Sequence, residues 1–154
     1  MLAGASPVLK NNRFITKLIS VQEGSNFVDS KVELPDGTKV SLSDYIGNGH
    51  YVLVNIWASW CGACIAELPK IRNAGEKYAS KNLKLLSISI DRNRKDWEKA
   101  LKRLGLPWTQ VLADYSFVNS YGINKVPVLM LISPDGIILK RNFGIEDLNR
   151  LFQN

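Results

Sequence analysis

An apolar run that leads directly into a closely spaced cysteine pair limits this chain to a small number of folds. Residues 51–57 are nearly all apolar, which is typical of a central strand covered on both faces. Cys61 and Cys64, the only two cysteines, follow at once, and a helix is predicted to begin at Gly62 or Ala63. Residues three apart on a helix share a face, with Cβ atoms about 5–6 Å apart, and disulfides need Cα atoms about 4.4–6.8 Å apart. The pair can therefore open and close a disulfide with little backbone movement.

A position at the start of a helix also makes the first cysteine reactive. Free backbone N–H groups and the partial positive charge at a helix N-terminus both favour a thiolate. Cys-x-x-Cys motifs lower the pKa of the first thiol to roughly 3.5–7.5. We therefore predict that Cys61 is an exposed nucleophile and that Cys64, one turn into the helix, resolves the mixed disulfide.

Two cysteines can also have three other roles in a protein. A structural zinc ion takes four ligands, whereas the chain has a single histidine, His50, and no second cysteine pair. Attachment of a c-type haem requires a histidine directly after the second cysteine, where Ile65 stands. An inert structural disulfide stays open as an alternative, although closing so short a loop stabilises little.

Length and composition indicate one ordinary globular domain. A chain of 154 residues with 45% apolar content is large enough for a real core. The net charge is +6, and the basic cluster at 92–103 is interpreted as the solvated face of a helix, so we expect no nucleic-acid partner. No apolar run reaches 18 residues, and residues 1–6 lack the charged and apolar regions of a signal peptide. Residues 1–25 are expected to be an N-terminal extension or linker, and residues 26–154 a single domain.

The remaining pattern predicts an α/β order of elements. Alternating residues on either side of Pro35-Asp36-Gly37 predict a hairpin of 31–34 with 38–40, and a helical turn should follow at 41–47. Further strands are predicted at 50–57, 83–90, 109–113, 127–133 and 137–142, and helices at 62–80, 94–104, 116–121 and 145–152.

Several side chains within these elements carry further expectations. Pro69 should bend the first helix, because proline removes a backbone donor and contacts the preceding turn. Asp91 follows the 83–90 strand and is a candidate cap for the helix after it. From the last helix, the residues predicted to point into the core are Leu148, Leu151 and Phe152.

A strand, a Trp-Cys-x-x-Cys motif opening a helix and a distant Val-Pro before another strand resemble the thioredoxin superfamily. The residues of these and the following motifs are similar to those of the TlpA/ResA-type thiol–disulfide oxidoreductases, a branch with AhpC/TSA-related thioredoxin-like domains. The resemblance covers about residues 27–152 and implies a thioredoxin-like three-layer α/β/α sandwich with a central mixed β-sheet and an added N-terminal β-hairpin. Its motifs are Val54-Asn55-Ile56-Trp57-Ala58-Ser59-Trp60-Cys61, Glu67-Leu68-Pro69, Tyr121-Gly122-Ile123, Val126-Pro127 and Ser133-Pro134-Asp135-Gly136.

The resemblance also implies a set of site residues. Val126-Pro127 is expected to be a cis peptide opposite the cysteines, and Val126 to offer its backbone N–H and C=O to an extended substrate. Glu67 is expected to handle protons for the cysteine pair, since a partly buried carboxyl has a raised pKa. No cofactor and no metal are expected. The substrate-contacting residues implied are Trp60, Gly62, Ala63, Val126 and Pro127.

One residue departs from the pattern of cytosolic thioredoxins. Asn55 stands where those proteins usually carry a buried aspartate. An amide cannot act as a base, so the change moves proton transfer towards Glu67 or water.

The function that the resemblance implies is reduction, rather than oxidation, of disulfides in partner proteins. A reducing partner protein would restore the Cys61–Cys64 thiols, and the branch usually serves cytochrome c maturation or general disulfide reduction. The resemblance also implies an extracytoplasmic location, in the bacterial periplasm or anchored to a membrane through a segment upstream of the chain, and a monomer is expected.

Two functions are alternatives to disulfide reduction, namely Cu(I) binding and thiol peroxidase activity. A Cu(I)-binding module usually adds a distal histidine, and none follows Cys64. A thiol peroxidase would need a Pro-x-x-x-Thr-x-x-Cys motif, whereas residues 54–60 contain neither proline nor threonine.

Overall fold

The computed structural model of the chain describes residues 22–152, so residues 1–21 of the predicted extension lie outside the described part. The described residues contain seven strands: β1 (Lys31–Glu33), β2 (Lys39–Ser41), β3 (Tyr51–Trp57), β4 (Leu83–Ser89), β5 (Thr109–Leu112), β6 (Val128–Ile132) and β7 (Ile138–Arg141). The α-helices are α1 (Gly62–Lys77), α2 (Arg94–Leu104), α3 (Tyr115–Ser120) and α4 (Leu148–Phe152), and short 3-10 turns occupy Leu42–Asp44, Ala79–Lys81 and Ile145–Asp147.

The strands form one mixed sheet in the order β2-β1-β5-β4-β3-β6-β7. The central strands β3, β4 and β5 run parallel, and β6 pairs antiparallel with β3. The predicted N-terminal hairpin is confirmed, since β1 and β2 pair antiparallel from Lys31↔Ser41 to Glu33↔Lys39. This hairpin extends the sheet beyond β5, and the strand that leads to the cysteines lies inside it.

Alternate residues of the strands build a core on each face of the sheet. Val52, Val54 and Ile56 of β3 belong to a cluster that also contains Phe117 of α3. Leu53 packs on the opposite face with residues of α1 and α4, and Trp57 packs there with residues of α2. The result is the predicted α/β/α sandwich, with α1 directly against the central strands.

The two longer helices begin and end near the predicted residues. Asn93 caps α2 by accepting a hydrogen bond from the N–H of Lys95, and Gly105 ends the helix in the left-handed conformation. Helix α1 runs through Pro69 to Lys77, and a 3-10 turn covers most of the remainder of its predicted range. The prediction that Asp91 caps α2 is wrong, because Asn93 holds that position.

The last predicted helix differs from the observed structure. A 3-10 turn at Ile145–Asp147 precedes the five-residue α4, so the segment is not one continuous helix. Leu148 is buried as predicted, but Leu151 is 43% exposed, which contradicts its predicted inward position. The change from 3-10 to α geometry shifts the angular spacing, so a single 3.6-residue period placed Leu151 incorrectly.

The first described residues lie beside the β7 edge of the sheet, near the start of that strand. The N–H of Gly24 donates to the carbonyl of Ile138 at 2.7 Å, and that of Phe27 to Gly136 at 2.8 Å. The buried Tyr121 hydroxyl donates to the carbonyl of Val28 at 2.5 Å.

None of the helices within residues 22–152 has the length and apolar character needed to span a bilayer.

Candidate active site

The cysteine pair sits where the central strand passes into α1. After β3 ends at Trp57, the N–H of Cys61 donates to the carbonyl of Ala58 at 3.1 Å and closes a turn. Cys61 is the N-cap of α1, with extended backbone angles of φ −93° and ψ 101°. A disulfide joins Cys61 to Cys64, whose Cα atoms are 5.2 Å apart. The predicted placement of both cysteines on the first turn of a helix is confirmed.

The start of α1 favours negative charge on the sulfur of Cys61. The backbone N–H of Cys64 donates a hydrogen bond to Cys61 Sγ at 3.1 Å. The helix is 16 residues long and its first turn carries no acidic side chain. After reduction, the same N–H and the partial positive charge of the helix N-terminus would stabilise a Cys61 thiolate.

The two cysteines differ in exposure less than the sequence suggested. Cys61 is 7% exposed and Cys64 is 1% exposed, so the description of Cys61 as an exposed nucleophile needs correction. Cys61 packs at its end of the core with Trp57 and Trp97. It is still the more accessible of the two, and the neighbouring Trp60 is 70% exposed. A partner sulfur would therefore reach the pair from the side of Trp60.

The Val126-Pro127 segment lies against the disulfide. Its peptide bond is cis, as predicted. The carbonyl oxygen of Val126 is 3.8 Å from Cys61 Sγ, and β6 begins directly after Pro127. Gly62 and Ala63 are exposed in the first turn of α1. The backbone of Val126 is thus beside the reactive sulfur, and substrate contact by these residues stays a prediction.

Glu67 lies one turn after Cys64 on α1. Its side chain is half-buried, and its Oε1 atom is enclosed without a hydrogen-bond partner. Burial raises the pKa of Glu67, the carboxylate of Glu146 adds to the increase, and the ammonium group of Lys70 opposes it. Residues three apart share a helix face, so this carboxyl is on the Cys64 side of α1. A carboxyl with a raised pKa in this position can accept and return a proton.

The amide at position 55 is held in a neutral network beneath the site. Asn55 is 2% exposed and pairs in register with Ser87 on β4. The hydroxyl of Ser87 donates to Asn55 Oδ1, and the indole N–H of Trp108 donates to Ser87 Oγ at 2.7 Å. These bonds tie β3 to β4 and provide no titratable group.

Asp91 contacts the turn before the cysteines, which sequence reasoning did not foresee. Its carboxylate accepts hydrogen bonds from the backbone N–H of Ser59 at 3.1 and 3.0 Å and from the Ser59 hydroxyl at 2.7 Å. The available signal was a carboxylate at the end of a parallel strand next to β3. Neighbouring parallel strands end on the same edge of a sheet, so the residues that follow them meet there.

A groove of about 730 Å³ opens beside the cysteine pair. Trp60 and Val126 line it on the side of the disulfide, and Tyr115, which is 72% exposed, lines it at the start of α3. Sequence reasoning missed Tyr115, because only the fold places α3 and Trp60 along the same groove. Exposed aromatic rings beside a reactive centre are suited to partner binding.

Metal ligands are not clustered in the described part of the chain. Within residues 22–152, no group of three or more His, Cys, Asp or Glu side chains is arranged to hold a metal ion.

Comparisons with known proteins agree with this geometry. The Redoxin family model matches residues 22–151. The thiol-disulfide oxidoreductase ResA of Bacillus subtilis is 27% identical over 122 residues, which cover 79% of this chain and 67% of that protein.

Solved structures show the same likeness. The thioredoxin domain of a thiol-disulfide oxidoreductase from Bacteroides vulgatus superposes with a TM-score of 0.76 and 29% identity, covering 86% of this chain and 96% of that domain. A thiol:disulfide interchange protein from Bacteroides sp. gives a TM-score of 0.74 and 30% identity, with coverage of 86% and 88%. The chain therefore belongs to the Redoxin family, as a TlpA/ResA-like member of the thioredoxin superfamily.

Proposed function

We propose that this chain is a thiol–disulfide oxidoreductase that reduces disulfides in partner proteins. The observation that carries the proposal is the position of Cys61, which caps α1, accepts the Cys64 N–H at 3.1 Å and lies beside the Val126 carbonyl. The names of the similar proteins, thiol-disulfide oxidoreductase and thiol:disulfide interchange protein, support the same chemistry.

The reaction transfers two electrons from the cysteine pair to the partner. The Cys61 thiolate attacks one sulfur of the partner disulfide, the partner S–S bond breaks, and the released partner thiolate takes a proton from water. Cys64 then loses its proton and attacks Cys61 Sγ, which forms the Cys61–Cys64 disulfide and releases the second partner thiolate. The partner leaves with two thiols, and a reducing protein must restore the pair.

Glu67 is proposed to take the proton from Cys64 during the second step. Burial raises the pKa of Glu67, and a carboxylate with a raised pKa is a stronger proton acceptor. Asn55 cannot perform this role because an amide does not titrate, and its oxygen already accepts from Ser87.

The substrate side of the site is proposed to be the groove between Trp60, Val126 and Tyr115. Gly62, Ala63 and Pro127 complete the surface around the disulfide. An extended partner segment would place its cysteine near Cys61 and pair with the backbone of Val126.

The family resemblance supports a proposal for the location and the assembly of the protein. We propose an extracytoplasmic location, with membrane tethering through a segment upstream of residue 1, and a monomeric oxidoreductase. Cytochrome c maturation and general disulfide reduction are both suitable client pathways for such a protein.

Trapping of the mixed disulfide tests the attack directly. We expect Cys64→Ser to accumulate a covalent complex with a disulfide-bonded protein such as insulin, because the resolving thiol is absent. Cys61→Ser, the matched control, should form no complex. If both variants trap insulin equally, Cys61 is not the attacking residue.

The reduction potential of the pair tests the direction of electron flow. Equilibration with glutathione or dithiothreitol should give a value near about −250 mV or lower, close to thioredoxin at about −270 mV. A value near about −120 mV, as in strong oxidants, would reverse the proposed direction. Stoichiometric Cu(I) binding without disulfide exchange would support a metal-binding module instead.

A further inference from the structure

Asp91 is a buried carboxylate in contact with the segment that leads to the reactive cysteine. It lies two residues after Ser89, the last paired residue of β4, and is 5% exposed. Ser59 donates to it through both its N–H and its hydroxyl, and the hydroxyl of Ser89 donates to Oδ2 at 2.6 Å. The N–H of Asp91 in turn donates to Ser89 Oγ at 3.0 Å. Both carboxylate oxygens are therefore used.

These bonds are made without a counter-ion. No salt bridge joins Asp91 to another side chain within residues 22–152. Removing a carboxylate from water is costly unless hydrogen bonds replace its hydration, and three neutral donor groups do so here. A buried charge of this kind adds little to the stability of the fold. A role in positioning the segment that it contacts explains its presence better.

The segment held by Asp91 sets the geometry of Cys61. Ser59 is the second residue of the turn closed by the hydrogen bond from Cys61 N–H to the Ala58 carbonyl. That turn orients Cys61 as the N-cap of α1, with Sγ 3.1 Å from the N–H of Cys64. The anchor itself is fixed, because the N–H of Ile90 donates to the Trp57 carbonyl at 2.9 Å and joins the ends of β4 and β3.

We infer that Asp91 is a positioning residue that holds the Ala58–Cys61 turn so that the sulfur of Cys61 faces the N–H of Cys64. The inference rests on the proposed function and extends it to a residue that does not touch the reacting sulfurs. Loss of the Asp91 contacts lets the turn move, and the Cys61 thiolate then loses part of its hydrogen bond from the helix N-terminus.

The test is the pH midpoint of Cys61 alkylation by iodoacetamide in a Cys64→Ser background, which leaves one thiol. We expect Asp91→Ala to move the midpoint upward, so that the thiolate fraction at pH 6 falls about threefold to tenfold. Ser59→Ala removes one of the hydroxyl bonds and should shift the midpoint in the same direction by less. The midpoint is used because a merely looser structure would change access to the thiol and hence the rate, but not the midpoint.

The control is Asp96→Ala, which removes an exposed carboxylate that lines the same groove. It should leave the midpoint unchanged. The other charged side chains that line the groove stay in place in every variant: Glu33, Arg92, Asp114 and Lys125.

The outcomes separate the two proposals. An unchanged or lower midpoint in Asp91→Ala would overturn the inference, since a lower value would mean that Asp91 acts only through its charge. Should Asp91→Ala fail to fold, the sign of the Ser59→Ala shift decides in the same way. Alkylation needs no partner protein, whereas failure of the wild-type chain to reduce insulin would count against the proposed function alone.

Discussion

At the scale of single residues, Glu67 combines burial with an unused hydrogen-bonding atom. Burial raises its pKa, so the folded chain binds the carboxyl proton more tightly than the unfolded chain does. For a group of this kind, its contribution to stability is fully present below the unfolded pKa of about 4.3 and is lost as pH rises through the folded pKa. The folded protein therefore loses stability as this carboxyl ionises.

We expect Glu67→Gln to remove this part of the pH dependence. In the oxidised wild-type protein, the free energy of unfolding should fall between pH of about 4.3 and the raised folded pKa, whereas the variant should show a smaller fall. Urea unfolding from pH 4 to pH 8 would measure it. Glu76→Gln, at an exposed position on the same helix, is the control and should follow the wild type. Identical slopes in wild type and Glu67→Gln would contradict the assignment.

At the scale of elements, α1 depends on a glycine for its contact with the sheet. A Cβ at Gly75 would lie 2.5 Å from Leu85 Cδ1 and 2.9 Å from Cγ. Gly to Ala inside a helix usually stabilises by about 1 kcal/mol, but overpacking a contact typically costs about 1–3 kcal/mol. The steric term is therefore expected to be the larger one here.

Gly75→Ala should accordingly lower the free energy of unfolding by about 1 kcal/mol. In a Leu85→Ala background, where the clashing atoms are gone, the same substitution should become stabilising. Denaturant unfolding of the four proteins gives the double-mutant cycle. A destabilising effect of equal size in both backgrounds would mean that Leu85 is not the source of the strain.

Elements with strong local signals were predictable, and those fixed by distant contacts were not. Capping by Gly105 and the apolar runs gave the ends of α2, β3 and β4 to within one or two residues. The hairpin was also predictable from its turn residues. Its place in the sheet was not, because it depends on the pairing of β1 with the distant β5 at Glu33↔Leu112.

The same division holds for the candidate site. The cysteines, Pro127 and Glu67 lie in motifs that are local in sequence, so they could be identified. Asp91 and Tyr115 could not be identified, because Asp91 contacts Ser59 across 32 positions in the sequence. Tyr115 and Trp60 line one groove only in the folded chain. The burial of Cys61 was likewise not predictable, because it depends on packing with Trp97 of α2.

At the scale of the whole molecule, the groove beside the disulfide is lined by residues from the turn before Cys61 and from α3. We expect Trp60→Ala and Tyr115→Ala each to lower kcat/KM for a protein substrate about fivefold to tenfold, which is typical of aromatic contact residues. Reaction with glutathione disulfide should change less than about twofold, because this small molecule need not fill the groove. Insulin and glutathione disulfide assays would be compared for each variant.

The control for the groove is Leu139→Ala on β7, an apolar side chain that is 41% exposed and does not line it. It should react with both substrates at the wild-type rate. Equal losses with insulin and glutathione disulfide in the aromatic variants would instead indicate damage to the cysteine pair.

The redox state should also change the stability of the entire domain. In a reductase of low potential, the folded protein favours its own disulfide, in contrast to strong oxidants whose reduced form is the stable one. We expect the oxidised protein to unfold at a higher urea concentration than the reduced protein. A Cys61→Ser/Cys64→Ser double variant should unfold identically with and without reductant, and a reduced wild type of greater stability would contradict the reductase direction.

The two edge strands of the sheet affect how the protein aggregates at high concentration. The edge strands β2 and β7 are three and four residues long, and β2 carries the exposed Lys39. Backbone hydrogen bonds join residues 24–27 to Gly136 and to Ile138, the first residue of β7. Short, charged or covered margins discourage the addition of strands from neighbouring molecules, which is the usual route to aggregation of β-rich proteins. The proposed binding of an extended client segment to the Val126 backbone would therefore take place in a protein whose own sheet edges offer other copies of itself little to extend.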